Sequence, residues 1–125
     1  MRRVDKLDSH NNLTEINICD MVNKLERLAF RYNETSTNAH CFIIYEDGVA
    51  TIKREGEVKS ELRLIAKEKT TAKVITPYGE MDMQIYTYDI QKTVDMFRVD
   101  YAIIENEKVV SRFDINWTFQ FHDLS

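Results

Sequence analysis

Between Val109 and Phe121 the side chains alternate with a period of two. Val109, Phe113, Ile115, Trp117, Phe119 and Phe121 hold the odd positions, with Ser111 the one polar exception. Arg112, Asp114, Asn116, Thr118, Gln120 and His122 hold the even positions, with Val110 the one apolar exception. Successive strand residues point to opposite faces, so the rhythm predicts a long strand with one face in a core and one in water. A helical step of about 100° per residue would scatter the aromatic rings around a cylinder.

The same rhythm recurs upstream. Phe97, Val99, Tyr101 and Ile103 alternate with Arg98, Asp100 and Ala102, and a three-residue loop at 105–107 would keep both odd sets on one face. The stretch Tyr45-Glu46-Asp47-Gly48-Val49 predicts a type I turn with Gly48 at a positive-φ bulge position. That loop would set Ile44 opposite Ala50 and Phe42 opposite Ile52, with Arg54 on their face. After Glu55-Gly56-Glu57, the residues Val58, Ser60, Leu62, Leu64 and Ala66 continue inward. The strands 71–75 and 81–87 flank Thr76-Pro77-Tyr78-Gly79, where proline fixes φ at the first turn position. Tyr88 to Val94 reads as extended, with a turn near 93–96, and Leu28, Phe30 and Tyr32 mark an earlier strand.

One stretch supports two readings. Ile18, Met21, Val22, Leu25, Leu28, Ala29 and Tyr32 also recur at helical spacing. Residues 1–12 read as a polar N-terminal tail or a degraded first strand, and 13–125 as one β-barrel domain. Many short strands joined by tight turns predict an all-β fold, an antiparallel up-and-down barrel of about eight to ten strands that hides its edges by closing on itself. A curled half-barrel with a helix across it is the alternative.

Four fragments then occur in order: Thr51-Ile52-Lys53-Arg54-Glu55-Gly56-Glu57-Val58, Thr76-Pro77-Tyr78-Gly79-Glu80-Met81, Ile85-Tyr86-Thr87 and Val99-Asp100-Tyr101. Together they resemble the bacterial YwiB-like family, a domain of unknown function with a calycin-like (lipocalin-like) barrel, over roughly residues 13–120. Arg54 and Gly56 match its Arg-x-Gly, and Thr76, Pro77 and Gly79 its Thr-Pro-x-Gly turn. Val74 stands where members usually carry Tyr, and the opening strand is shortened or degraded. The resemblance implies that residues 17–32 form a hairpin with a turn near 23–26. It implies no reaction, cofactor or ligand.

Composition narrows the function classes. The chain has 125 residues, with 17 Lys+Arg against 21 Asp+Glu and a net charge of −4, the wrong sign for a nucleic-acid binder. At 43% hydrophobic and 30% charged it has the balance of a globular domain. No apolar run approaches the ~18 residues of a membrane-spanning helix. The start Met1-Arg2-Arg3-Val4-Asp5 has no apolar stretch after its basic opening, so it reads as neither a signal nor a transit peptide. Cys19 and Cys41 are then expected reduced, in the cytoplasm.

Candidate chemistry is sparse. Arg54 falls on an inward face, where a guanidinium needs a carboxylate, carbonyls, a ligand anion or a route to water. It reads either as an anchor for a carboxylate or phosphate head group or as an arginine snorkelling from the barrel mouth. Met83, Thr87 and Tyr101 join it as candidate ligand-binding residues, and the aromatic side chains either line a pocket or fill the barrel. Outward Tyr86 and Tyr88 are a candidate interaction surface. His10, His40 and His122 lack metal-ligand spacing, and His40 and Cys41 point to opposite faces, so no metal site is expected. No nucleophile elbow or phosphate loop is present, so neither an enzyme nor a cofactor is expected. Glu105, Glu107, Asp95 and Asp100 read as a solvated acidic end. The expectation is a non-catalytic binder of a small, partly apolar ligand, as a monomer or homodimer. A filled barrel serving as a protein-interaction or homodimerisation module is the alternative.

Overall fold

The computed structural model describes residues 1–7 and 12–120. His10, Phe121 and His122 lie outside the described residues. Every regular element described is a strand: β1 (Arg2–Asp5), β2 (Leu13–Thr14), β3 (Cys19–Asn23), β4 (Arg27–Asn33), β5 (His40–Glu46), β6 (Val49–Glu55), β7 (Lys59–Ile65), β8 (Lys69–Thr76), β9 (Gly79–Lys92), β10 (Met96–Glu105) and β11 (Lys108–Thr118). They form one antiparallel sheet in the order β2-β1-β11-β10-β9-β8-β7-β6-β5-β4-β3. Strand order follows chain order except where β1 docks on β11, the up-and-down connectivity of a calycin-like barrel. Eleven strands exceed the expected eight to ten. Among the described residues no helix is long and apolar enough to cross a membrane.

The sheet cannot be flat. Eleven strands side by side would span about 48 Å. Yet β2 and β3, the two edges, are joined by residues 15–18 alone, which reach at most about 18 Å. The sheet therefore curls until its ends face each other. Side chains close the seam: Phe30 of β4 lies 5.7 Å from Trp117 of β11 and 5.0 Å from Phe119, ring centre to ring centre.

Three turns decide which side chains face inward. Asp47 and Gly48 both have positive φ, 53° and 77°, giving a two-residue hairpin turn of type I′ in place of the expected three-residue loop. Tyr45 therefore pairs with Ala50, Ile43 with Ile52 and Cys41 with Arg54. Cys41 and Ile43 are buried, whereas Ile44 is 39% exposed, so the expected inward set of Phe42 and Ile44 is corrected by one residue. A second tight turn at Asn106-Glu107 also replaces an expected three-residue loop. There a bulge between Ile103 and Ile104 restores the parity, so Phe97, Val99 and Tyr101 still face Trp117, Ile115 and Phe113. Beyond Gly56, Ile52 pairs with Leu62 and Ala50 with Leu64, as the apolar rhythm requires.

Near the N-terminus the hairpin that the resemblance implies is present. Residues 19–33 form the β3–β4 hairpin, closed by mutual backbone hydrogen bonds between Lys24 and Arg27, so the helical spacing there was coincidental. Arg2–Asp5 pairs with Asn116–Phe113 across a full four-residue ladder. The segment 1–12 thus contains a short but formed first strand.

Candidate functional site

The barrel interior has two unlike ends. Near the β5–β6 and β10–β11 chain positions that include Tyr45, Ala50 and Phe97, the core is filled. Leu28, Ala50, Leu64, Phe97 and Val99 are wholly buried, and Phe97 packs its ring 5.3 Å from Tyr45 and 5.7 Å from Trp117. Toward the opposite end the walls part around a cavity of about 250 Å³. Apolar side chains such as Ile43, Ile52, Leu62, Met83 and Ile85 form its body, and Arg3, Glu34, Arg54, Ser60 and Tyr101 its polar rim.

Glu34 organises that rim. The inward rhythm of β4, Leu28, Phe30, Tyr32, runs one step past the strand to this carboxylate, which is 7% exposed. Arg54 Nη2 donates to Glu34 Oε2 at 2.7 Å, Thr37 Oγ1 to the same oxygen at 2.7 Å, and Cys41 Sγ to Oε1 at 3.1 Å. Burial pushes the Glu34 carboxyl up, but the bonds from Cys41, Thr37 and Arg54 outweigh it and hold it below the ordinary carboxylate range. Burial, reinforced by that carboxylate, pushes the Cys41 thiol up to about 12, so it stays protonated and unreactive. The same packing gives Gly56 a role. A Cβ there would lie 3.2 Å from the Ala39 Cβ, and the absence of a side chain lets the end of β6 approach the 34–40 loop that carries Glu34.

The expected site residues separate at this point. Arg54, Met83 and Tyr101 line one cavity. Arg54 is neither a bare anchor nor purely snorkelled: about a third of its side chain is exposed, and Glu34 holds its tip. Thr87 is not among the lining residues. It is wholly buried beside the 66–68 turn, where Lys67 N donates to its carbonyl and its own N donates to Glu68 O. Tyr86 and Tyr88 face outward but are half-buried, edge to face at 5.0 Å, with the Arg112 guanidinium 4.0 Å above the Tyr88 ring. Glu34, Arg3 and Ser60 were not singled out in the sequence. For Glu34 the signal was present, because it continues the alternation of β4.

The outer face of β9–β11 carries a second polar cluster. Asp100 is only 5% exposed and is bound by Arg112 through Nε at 3.2 Å and Nη2 at 3.0 Å, and by Lys6 at 3.1 Å. Arg98 clamps Asp114 with two bonds of 2.8 and 2.6 Å. Burial pushes the Asp100 carboxyl up, and the Arg112 and Lys6 bonds more than reverse it, leaving it low. The expectation that Asp100 belongs to a solvated acidic end is therefore corrected, since partner side chains roof it. Among the described residues no three metal-binding side chains converge.

A groove of about 800 Å³ runs along the seam between β1–β2 and β3–β4, past Ile16, Ile18, Cys19 and Phe119. Tyr32 and Trp117 border both this groove and the inner cavity, and Trp117 Nε1 donates to the Tyr32 hydroxyl at 3.0 Å.

These features can be set beside known proteins. The model of a domain of unknown function, DUF1934, matches residues 3–116. The chain belongs to this family. The crystal structure of YwiB protein from Bacillus subtilis is similar with a TM-score of 0.66, covering 96% of this chain and 88% of that chain at 19% identity. That likeness carries the barrel fold. No curated protein matches the chain. The DUF1934 description assigns no chemistry, so function has to be argued from the cavity itself.

Proposed function

We propose that this DUF1934 barrel is a non-catalytic binder of a small, partly apolar molecule, held in the cavity at the open end. The cavity carries the reading. A core packed throughout would leave no space above one water, whereas about 250 Å³ accommodates roughly eight water-sized groups. Apolar walls with a few polar groups at one end are the ordinary make-up of a small-molecule site. Cys41 is protonated and tied to Glu34, which favours binding over nucleophilic chemistry. The free cysteines suit a reducing, cytoplasmic setting. A protein-docking role is the second reading, favoured by Ile16 and Ile18, which are 94% and 96% exposed along the seam.

Native mass spectrometry of protein purified without detergent separates the two. A retained small mass that is lost on unfolding is the expected result. A clean dimer with no adduct would replace the binding reading with the docking one.

A further inference from the structure

The charges on the cavity wall are engaged before any ligand arrives. Arg54 Nη2 and Glu34 Oε2 meet at 2.7 Å, and the Glu34 oxygens also accept from Thr37 Oγ1 and Cys41 Sγ. Arg3, at the same rim, has an interaction of its own, and the Met1 ammonium donates to the Glu15 carbonyl at 2.8 Å. Burial keeps the Tyr101 phenol and the Cys41 thiol neutral, each with its titration moved up to about 12. Below the rim, Ile43, Ile52, Leu62, Ile85 and Ile115 present only hydrocarbon. An ion entering such a space gives up its hydration and finds the opposite charges already bound, whereas an apolar molecule has little hydration to lose. Apolar cavities hold water poorly and take up small hydrocarbons instead.

We infer that the cavity selects uncharged, largely hydrocarbon molecules over carboxylates and amines, and that Glu34 sets this selectivity by neutralising Arg54. This specification rests on the binding role proposed above. Glu34 is the specificity-determining residue because both members of its ion pair border the cavity. Remove its charge and the Arg54 guanidinium is left without its counter-ion at the cavity edge, where a ligand carboxylate can take its place. Remove the guanidinium instead and the Glu34 carboxylate is left to attract an ammonium. The volume limits the ligand to about eight heavy atoms if each takes the space of a water. 1-Hexanol fits that limit.

The test uses the whole chain and its single tryptophan, Trp117, which lines the cavity. Titrations with 1-hexanol, hexanoate and hexylamine at pH 7 are followed by Trp117 emission. Hexanol is expected to bind about tenfold more tightly than either ion, because neither ion recovers its lost hydration. Glu34→Gln keeps the shape of the side chain and removes its charge, and should raise hexanoate binding relative to hexanol about tenfold. Arg54→Leu should shift the preference the other way, towards hexylamine, and gives an independent reading if Glu34→Gln fails to fold. Hexanoate or hexylamine binding as tightly as hexanol in the unaltered chain, or a preference that the folded variants leave untouched, overturns the assignment and leaves the binding role standing. If none of the three ligands changes the emission at millimolar concentration, the binding role falls and the assignment falls with it.

Discussion

The two ends of this barrel are built from the same strands and the same alternation, yet one is solid and the other hollow. At the filled end the inward positions carry Leu28, Tyr45, Leu64 and Phe97, and rings interlock at about 5–6 Å. At the open end the same strands carry Glu34, Cys41, Arg54, Ser60 and Tyr101. Glu34, Cys41 and Arg54 there spend their volume satisfying one another at the wall, and the middle stays vacant. Stability is therefore expected to concentrate at one end and recognition at the other.

The largest test of that division is Phe97→Ala. Phe97 is wholly buried among Phe30, Tyr45 and Trp117, and its truncation should cost about 3–5 kcal/mol in urea unfolding followed by Trp117 fluorescence. A loss below about 1 kcal/mol would mean that the solid end is not where the fold is held.

Next comes the ion pair at the rim. Arg54→Leu leaves the Glu34 carboxylate buried without its guanidinium, which should lower stability by about 1–2 kcal/mol once the water-exposed third of Arg54 is discounted. Unchanged or increased stability would show that Glu34 is satisfied by Thr37 and Cys41 alone.

The same pair sets an acid limb. Glu34 titrates below its ordinary value of 4.5 in the folded chain. Its stabilising contribution is complete above that value and is lost as the pH falls through the depressed folded value. Urea midpoints measured from pH 7 down to pH 3 should therefore fall, and Arg54→Leu should flatten the fall. A parallel curve for the variant would take the acid limb away from this pair and leave it to Asp100 and Glu15, whose carboxyls are also held low.

A small effect is expected beside the cavity. Met83 is only half-buried at the cavity wall, so Met83→Ala removes fewer packing contacts and should cost about 1–2 kcal/mol, well under the Phe97 variant. Equal costs for the two would erase the contrast between the ends.

How far these features could be read in advance depends on the length of the regularity that encodes them. The strand from Val109 onward was legible because eleven of thirteen positions repeat one rule, and the pairing of Phe97 with Trp117 survived even though the turn was tighter than expected. The β5 register was missed on a single turn. Asp47-Gly48 makes a two-residue loop, and a one-residue slip moves every side chain of the strand to the other face. Residues 18–32 satisfied two periods at once, and the hairpin won because β4 could pair with β5 as well as β3. At the site, Arg54 stood out because a charge on an apolar row requires an explanation. Glu34 did not, because it sits in a polar stretch where a carboxylate needs none, and Thr87, cross-strand from Tyr101, is buried beside the 66–68 turn without reaching the cavity.

The sequence by itself determined that the chain alternates, turns often and cannot leave its apolar rows in water, and those facts alone dictate an antiparallel sheet with an inside and an outside. Only the tertiary structure decided where that inside is solid and where it is empty. Curling brings Glu34 to Arg54, twenty residues away, and Trp117 to Tyr32, eighty-five residues away. Volume left over between facing walls is a property of all the strands together, and no local pattern along one of them encodes it.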